Sequence, residues 1–262
     1  RAAWPGYDYL MQAECGYLSV TGEKGGPPSR MGLSIVDLAT GLQAAIALVS
    51  GVVGARATGR GGDYDVSLYD VAMTNLCYVA AWHLTLGETV GRETRSAHPS
   101  LVPSQLYRTA DGWIFLMCNK EKFWPILCNK MDRPDLAADE RFRDFAGRLA
   151  HRDLLTDLLD DALSTRTTAD WMAVFAGEVP AAPVNDVGQA LESPFTRSTG
   201  QLLEYATACG QTVASIGPGM RQPGLPPRAD AAPALGADQA SLLGELGYTA
   251  EEAEALARAV SS

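Results

Sequence analysis

Asp37 is the residue around which chemistry can be argued. It is a lone carboxylate at the head of Leu38 to Val53, LATGLQAAIALVSGVV, and no further charge follows until Arg56. A carboxylate in that place can do two things. As an N-cap it accepts first-turn amide hydrogens and stabilises the helix by about 1 kcal/mol. As a nucleophile it is kept ionised by those amides and by the positive end of the helix dipole. Local sequence leaves both readings open. The remaining reactive residues form no set: His83, His98 and His151 are too far apart to suggest a metal site, and the five cysteines (15, 77, 118, 128, 209) contain no C-x-x-C pair. Scattered cysteines of this kind point to a reducing, cytoplasmic setting with inert buried thiols. Gly59, Gly61 and Gly62 invite a dinucleotide-loop reading, but such a loop follows a strand and opens a helix. Here the glycines close a helix, and the reading is rejected.

The element that presents Asp37 is the apolar run itself. Its sixteen residues are too many for a strand, and the Ala/Leu content predicts a helix apolar nearly all round, hence buried. It is shorter than the roughly 20 apolar residues of a membrane span, so the expectation is a core helix of a soluble protein. Upstream, a short helix is predicted over Tyr9 to Cys15, followed by a turn-rich loop, Glu23 to Arg30. Downstream, the alternation of Asp63 to Leu68 predicts a strand, and Tyr69 to Leu86 a second apolar helix. Gln105 to Cys118 reads as a hairpin turning at Ala110-Asp111-Gly112. Phe123, Trp124, Leu127 and Met131 make the apolar face of a helix, Arg148 to Leu163 is amphipathic, and Thr168 is expected to cap the next helix. Ala181 to Asp186 is a short strand or loop, residues 201–205 and 212–216 are two strands, Pro218 to Pro233 is extended, and Gln239 to Val260 is two helices broken at Gly247.

At 262 residues, with 47% hydrophobic and 20% charged content, the chain has the composition of a globular protein with a sizeable core. The net charge of −10 argues against a nucleic-acid surface or a polybasic membrane anchor. A polyanionic ligand would therefore need a local basic patch.

Several stretches carry a resemblance. PGYDYLMQAECG (Pro5 to Gly16), Thr21-Gly22, GPP (Gly26 to Pro28), SIVDLATGL (Ser34 to Leu42) and ATGRGGDYDVSLYD (Ala57 to Asp70) lie in an order and spacing that resemble the family III CoA-transferases of the CaiB/BaiF type. That family includes formyl-CoA and carnitine CoA-transferases. The resemblance continues through SAHPSLVPSQLYRTADGW, VPAAPVNDV and LGELGYTAEE, so it covers essentially the whole chain. It implies that Asp37 is a covalent nucleophile passing through an aspartyl-CoA thioester, and that Tyr7 and Asp8 lie beside it and line the site for the acyl-CoA. Alpha-methylacyl-CoA racemases resemble the same stretch but place a histidine at the position of Tyr7. No histidine precedes His83 here, and a tyrosine with a pKa near 10 is poorly suited to α-proton exchange. Transferase is favoured over racemase. A third reading is a non-catalytic subunit or truncated remnant.

The implied fold is α/β, with residues 1–90 as a large-domain piece holding the nucleophile helix, 91–104 as a linker, 105–190 as a small α/β domain, and 191–262 as a return to the large domain. The resemblance also implies that an N-terminal segment carrying most coenzyme A contacts lies upstream of Arg1. Arg30 and Arg60 are the phosphate partners considered within the chain. One further departure is that HPSLVPSQ (His98 to Gln105) has no glycine where family members carry a glycine-rich covering loop. No cofactor or metal is expected beyond coenzyme A itself. The expected partners are an acyl-CoA, a carboxylic acid and, in the complete protein, a second copy in an intertwined homodimer.

Overall fold

The computed structural model describes residues 4–207, 210–225 and 232–260. The chain divides into two compact units, residues 1–184 and 185–262. Both are mixtures of helices and small antiparallel sheets, as the α/β expectation has it. The finer boundaries near residues 90, 104 and 190 stay an expectation from the resemblance.

The first unit opens with α1 (Asp8–Glu14) and α2 (Tyr17–Val20), separated at Gly16, whose φ of +90° is open to glycine and costly for other residues. Then comes α3 (Ile35–Thr58), 24 residues long and closed by Gly59 in the left-handed conformation. Next are α4 (Leu68–Asn75), capped by Ser67 accepting the Asp70 amide hydrogen, and α5 (Cys77–Leu86). The predicted single helix over 69–86 is thus two, broken at Leu76 and at Cys77, whose φ is +46°. A small cluster of Cys15, Val36 and Ala72, ringed by Met11, Tyr17, Ile35 and Leu68, joins α1, α3 and α4. The Tyr17 hydroxyl donates to the Ala72 carbonyl at 3.0 Å and ties the same junction.

Two expectations fail here. Helix α3 is not buried: Leu38, Leu42, Ile46, Leu48, Val49, Val52 and Val53 are all exposed. The helices packed against it are α1 and α4, which cover its start and one side of its course. By length and composition alone α3 could also cross a membrane, a test that core helices of globular proteins pass too. Second, residues 63–68 form no strand. They lie back along α3 so closely that a Cβ on Gly51 would come within 2.8 Å of the Tyr64 ring. The alternating pattern has no strand to pair with, so packing on the helix takes its place.

Residues 102–179 build the main core. Strands β1 (Ser104–Arg108) and β2 (Trp113–Met117) form the expected hairpin, and β3 (Ala181–Pro183) pairs antiparallel with β2, Phe115 opposite Ala182. Against this sheet and each other pack α6 (Phe123–Lys130), α7 (Pro134–Ala138), α8 (Phe145–Ala150), α9 (Arg152–Leu163) and α10 (Thr168–Phe175). Trp124, Leu127 and Met131 are buried as predicted. The amphipathic stretch from 148 is split at His151, and the cap of α10 is Thr167, accepting from the Asp170 amide, not Thr168. The Thr168 amide instead donates to Asp111 Oδ1 in the hairpin turn, at 2.8 Å. Arg148 is buried, donating to the Val102 and Phe142 carbonyls and to Glu121 Oε2 at 2.6–2.9 Å. Residues 88–103 connect the two parts of this unit. Glu23 accepts the Arg95 amide hydrogen, and the Arg95 guanidinium reaches Asp160 Oδ2 at 2.6 Å.

In the second unit, α11 (Val187–Glu192) starts on a capping box of Asp186 and Gln189. It leads to α12 (Pro194–Ser198), the hairpin of β4 (Leu202–Ala206) and β5 (Thr212–Ile216), then α13 (Gln239–Glu245) and α14 (Ala250–Val260). Gly247, φ +91°, separates the last two helices as predicted. The middle of the predicted extended proline segment, residues 226–231, lies outside the described residues, as does Cys209.

Candidate functional site

Asp37 occupies the third position of α3, in its first turn. It is not the cap. Ser34 sits at the N-cap position without a side-chain hydrogen bond, and the cap comes from another helix. Asp8 Oδ2 accepts the amide hydrogens of Val36 at 2.7 Å and of Asp37 at 3.0 Å. Asp8 is itself held: Gln12 Nε2 donates to its Oδ1 at 2.6 Å. The two side chains are four residues apart on α1, the spacing that stacks them on one helix face. Both are buried, Asp8 4% and Gln12 0% exposed. A buried carboxylate with three donors is satisfied; without them it would be costly to hide.

The consequence for Asp37 is definite. Its backbone is pinned by Asp8, while its side chain is exposed and accepts no hydrogen bond among the described residues. The expectation that the first-turn amides hold the Asp37 carboxylate does not hold for Val36 and Asp37, because Asp8 already occupies them. What remains is a free carboxylate at the positive end of a 24-residue helix. Tyr7 is the N-cap residue of α1, its ring 67% exposed and its hydroxyl unpartnered among the described residues. The fold therefore brings Tyr7, Asp8 and Asp37 to one junction of α1 and α3. Only Asp8 points inward.

Gln12 is the member that sequence reasoning missed, although the i,i+4 spacing after Asp8 was a usable signal. The two arginines considered as phosphate partners do not converge on a built site. Arg30 stacks 4.2 Å over the Tyr9 ring and donates to the Met31 carbonyl, and Arg60 is exposed. A hollow of about 1030 Å³ lies beside α1, lined by Trp4, Pro5, Leu10, Met11 and Leu68 among others, but not by Tyr7 or Asp37. The stretch from His98 runs inward, with Val102, Pro103, Ser104 and Gln105 buried, so it is the lead into β1 and not an open loop over a site. No cluster of three or more possible metal ligands occurs among the described residues. Of the thiols, Cys77 is exposed, contrary to expectation, while Cys15, Cys118 and Cys128 are buried. Burial pushes the last two up to about 12, which leaves them unreactive as nucleophiles.

Comparison with known proteins gives this junction a context. The family model of CoA-transferase family III matches residues 1–239. The succinyl-CoA:mesaconate CoA-transferase of Haloarcula hispanica is 30% identical over 250 residues, 94% of this chain and 62% of that protein. The acetyl-CoA:oxalate CoA-transferase of Acetobacter aceti is 31% identical over 206 residues, 78% of this chain and 52% of that protein. Human succinyl-CoA:glutarate CoA-transferase is 29% identical over 217 residues, 82% and 49% respectively. Among solved structures, a CaiB/BaiF family protein from Brucella suis superposes with a TM-score of 0.78 at 28% identity, covering 94% of this chain and 64% of its own. The chain thus spans about half to two thirds of the length of the relatives it matches. On the extent of the family match and the shared fold, the chain belongs to CoA-transferase family III.

Proposed function

We propose that this protein transfers coenzyme A between an acyl-CoA thioester and a carboxylic acid, with Asp37 as the covalent nucleophile. The observation that carries the reading is the geometry of Asp37: an exposed carboxylate, unpartnered among the described residues, on a helix turn whose amides are fixed from behind by Asp8. Asp37 attacks the thioester carbonyl, the C–S bond breaks, and the coenzyme A thiolate leaves a mixed anhydride. The thiolate then attacks the aspartyl carbonyl and expels the first acid, giving an aspartyl-CoA thioester. The acceptor carboxylate repeats the exchange in reverse order, regenerating the Asp37 carboxylate and the new acyl-CoA. Activation is kept at every step, and coenzyme A enters as part of the substrate. Tyr7, exposed beside this junction, lines the acyl side of the site.

Relatives named for succinyl-CoA or acetyl-CoA, and for mesaconate, glutarate or oxalate, support small carboxylic acids as the substrate class. The working form is a homodimer in the cytoplasm. The test is transfer from succinyl-CoA or acetyl-CoA to that panel of acids by the intact natural protein, in deuterated water. Wild type should transfer without exchanging the α-proton, and Asp37→Asn should lose on the order of 10⁴-fold or more in kcat. Near-normal turnover by Asp37→Asn would overturn the assignment, and α-deuteration without transfer would replace it with a racemase.

A further inference from the structure

We propose that Asp8 and Gln12 form a clamp that positions Asp37, and that Asp8 belongs to the scaffold behind the nucleophile and not to the acyl pocket. The inference rests on Asp37 as the nucleophile. Five hydrogen bonds define the clamp. Gln12 Nε2 donates to Asp8 Oδ1 at 2.6 Å and to the Leu33 carbonyl at 3.2 Å. Gln12 Oε1 accepts the Met31 amide hydrogen at 2.9 Å. Asp8 Oδ2 accepts the amide hydrogens of Val36 and Asp37. The segment from Met31 to Asp37 is thereby stitched to one face of α1. Beyond the clamp, the first turn of α3 is anchored by Val36 and Ile35 in the small apolar cluster.

The polarity of each bond is forced. A carboxylate only accepts, so Gln12 must turn its amide nitrogen to Asp8, which leaves its oxygen for Met31. With both side chains buried, water cannot replace a missing partner cheaply. Position of a nucleophile matters steeply: a misplacement of about 1 Å costs about 100-fold in rate. A clamp that acts on the backbone of Asp37 should therefore be felt in kcat, while the exposed surface that binds substrate is left as it was.

Reversal of polarity provides the experiment. Asp8→Asn sets an amide donor against the Gln12 amide, and Gln12→Glu sets two carboxylates against each other. Combined, the two changes restore a donor–acceptor pair, keep an acceptor for the Met31 amide, and lose only the bond to the Leu33 carbonyl. With succinyl-CoA and glutarate as probes in the intact protein, each single variant should lower kcat about 100-fold with KM nearly unchanged. The double variant should recover at least about tenfold of that loss. Melting curves show that the assay temperature lies in the folded range, and hydroxylamine capture of the thioester on the Asp37 peptide should fall and recover with kcat. Gln12→Met, similar in shape and without hydrogen bonds, serves if a charge variant fails to fold, and it too should lose kcat. Folded single variants with wild-type kcat, or a double variant no better than its worse parent, would overturn the clamp. Retained transfer by Asp37→Asn would instead overturn the nucleophile on which it rests.

Discussion

At the scale of single residues, His98 shows how a protonation state is built into the chain. Its Nδ1 accepts the amide hydrogens of Ser100 at 3.2 Å and Leu101 at 3.1 Å, which only an unprotonated nitrogen can do. Burial, assisted by the Arg152 guanidinium, lowers its pKa below the ordinary 6.5. The unfolded chain therefore takes up the proton first as pH falls. The stability held above pH 6.5 is lost as pH drops through the interval down to the folded pKa. Urea unfolding should show a lower midpoint at pH 5.0 than at pH 7.5. In His98→Asn, whose side-chain oxygen can still accept, the part of that slope due to His98 should vanish. An unchanged slope would remove His98 from the account. The same kind of reasoning separates Asp8 from Asp37: two carboxylates meet the start of one helix, the first buried on its amides and the second exposed.

At the scale of elements, the return of residues 60–67 along α3 depends on Gly51. An added Cβ there meets the Tyr64 ring at 2.8 Å, inside van der Waals contact. Glycine inside a helix costs about 0.8–1.0 kcal/mol relative to alanine, so Gly51→Ala ought to stabilise α3 if nothing stood in the way. Here we expect that gain to be cancelled, and cleavage by trypsin after Arg60 to be faster as the segment lifts. In a Tyr64→Ala background the same change should stabilise by about 1 kcal/mol and leave cleavage unaltered. Equal effects in both backgrounds, read from unfolding curves, would show that the ring and the glycine do not interact. The helix-to-loop packing is local, yet it is what an alternating strand pattern concealed.

At the scale of the whole molecule, the prominent property is the uncovered side of α3. Leu42, Ile46 and Val49 recur at helical spacing and are 61–68% exposed, on a chain whose net charge is −10. A contiguous apolar surface of this kind drives association. Residues 1–262 studied alone should sediment as concentration-dependent oligomers, and Leu42→Glu with Ile46→Glu should shift them toward monomer. A monodisperse wild-type monomer at high concentration would contradict this. The chain spans less than two thirds of the length of the first relatives it matches.

Much of this protein could be read from order and spacing along the chain. The hairpin at Asp111-Gly112, the buried face of α6, the break at Gly247 and the glycine end of α3 follow from local rules: turn chemistry, a 3.6-residue period, and left-handed φ. The motif order from Pro5 to Asp70 points to the family, and through that resemblance SIVDLATG makes Asp37 the candidate nucleophile. Tertiary structure decided what local rules do not contain. Whether α3 is buried depends on which surfaces meet it. The strand expected at 63–68 fails because strands exist only in pairs, and the cap of α3 comes from Asp8, 29 residues before Asp37. Hydrogen-bond partners are chosen by proximity in space, and a side chain that caps a distant helix leaves no mark in the sequence around that helix.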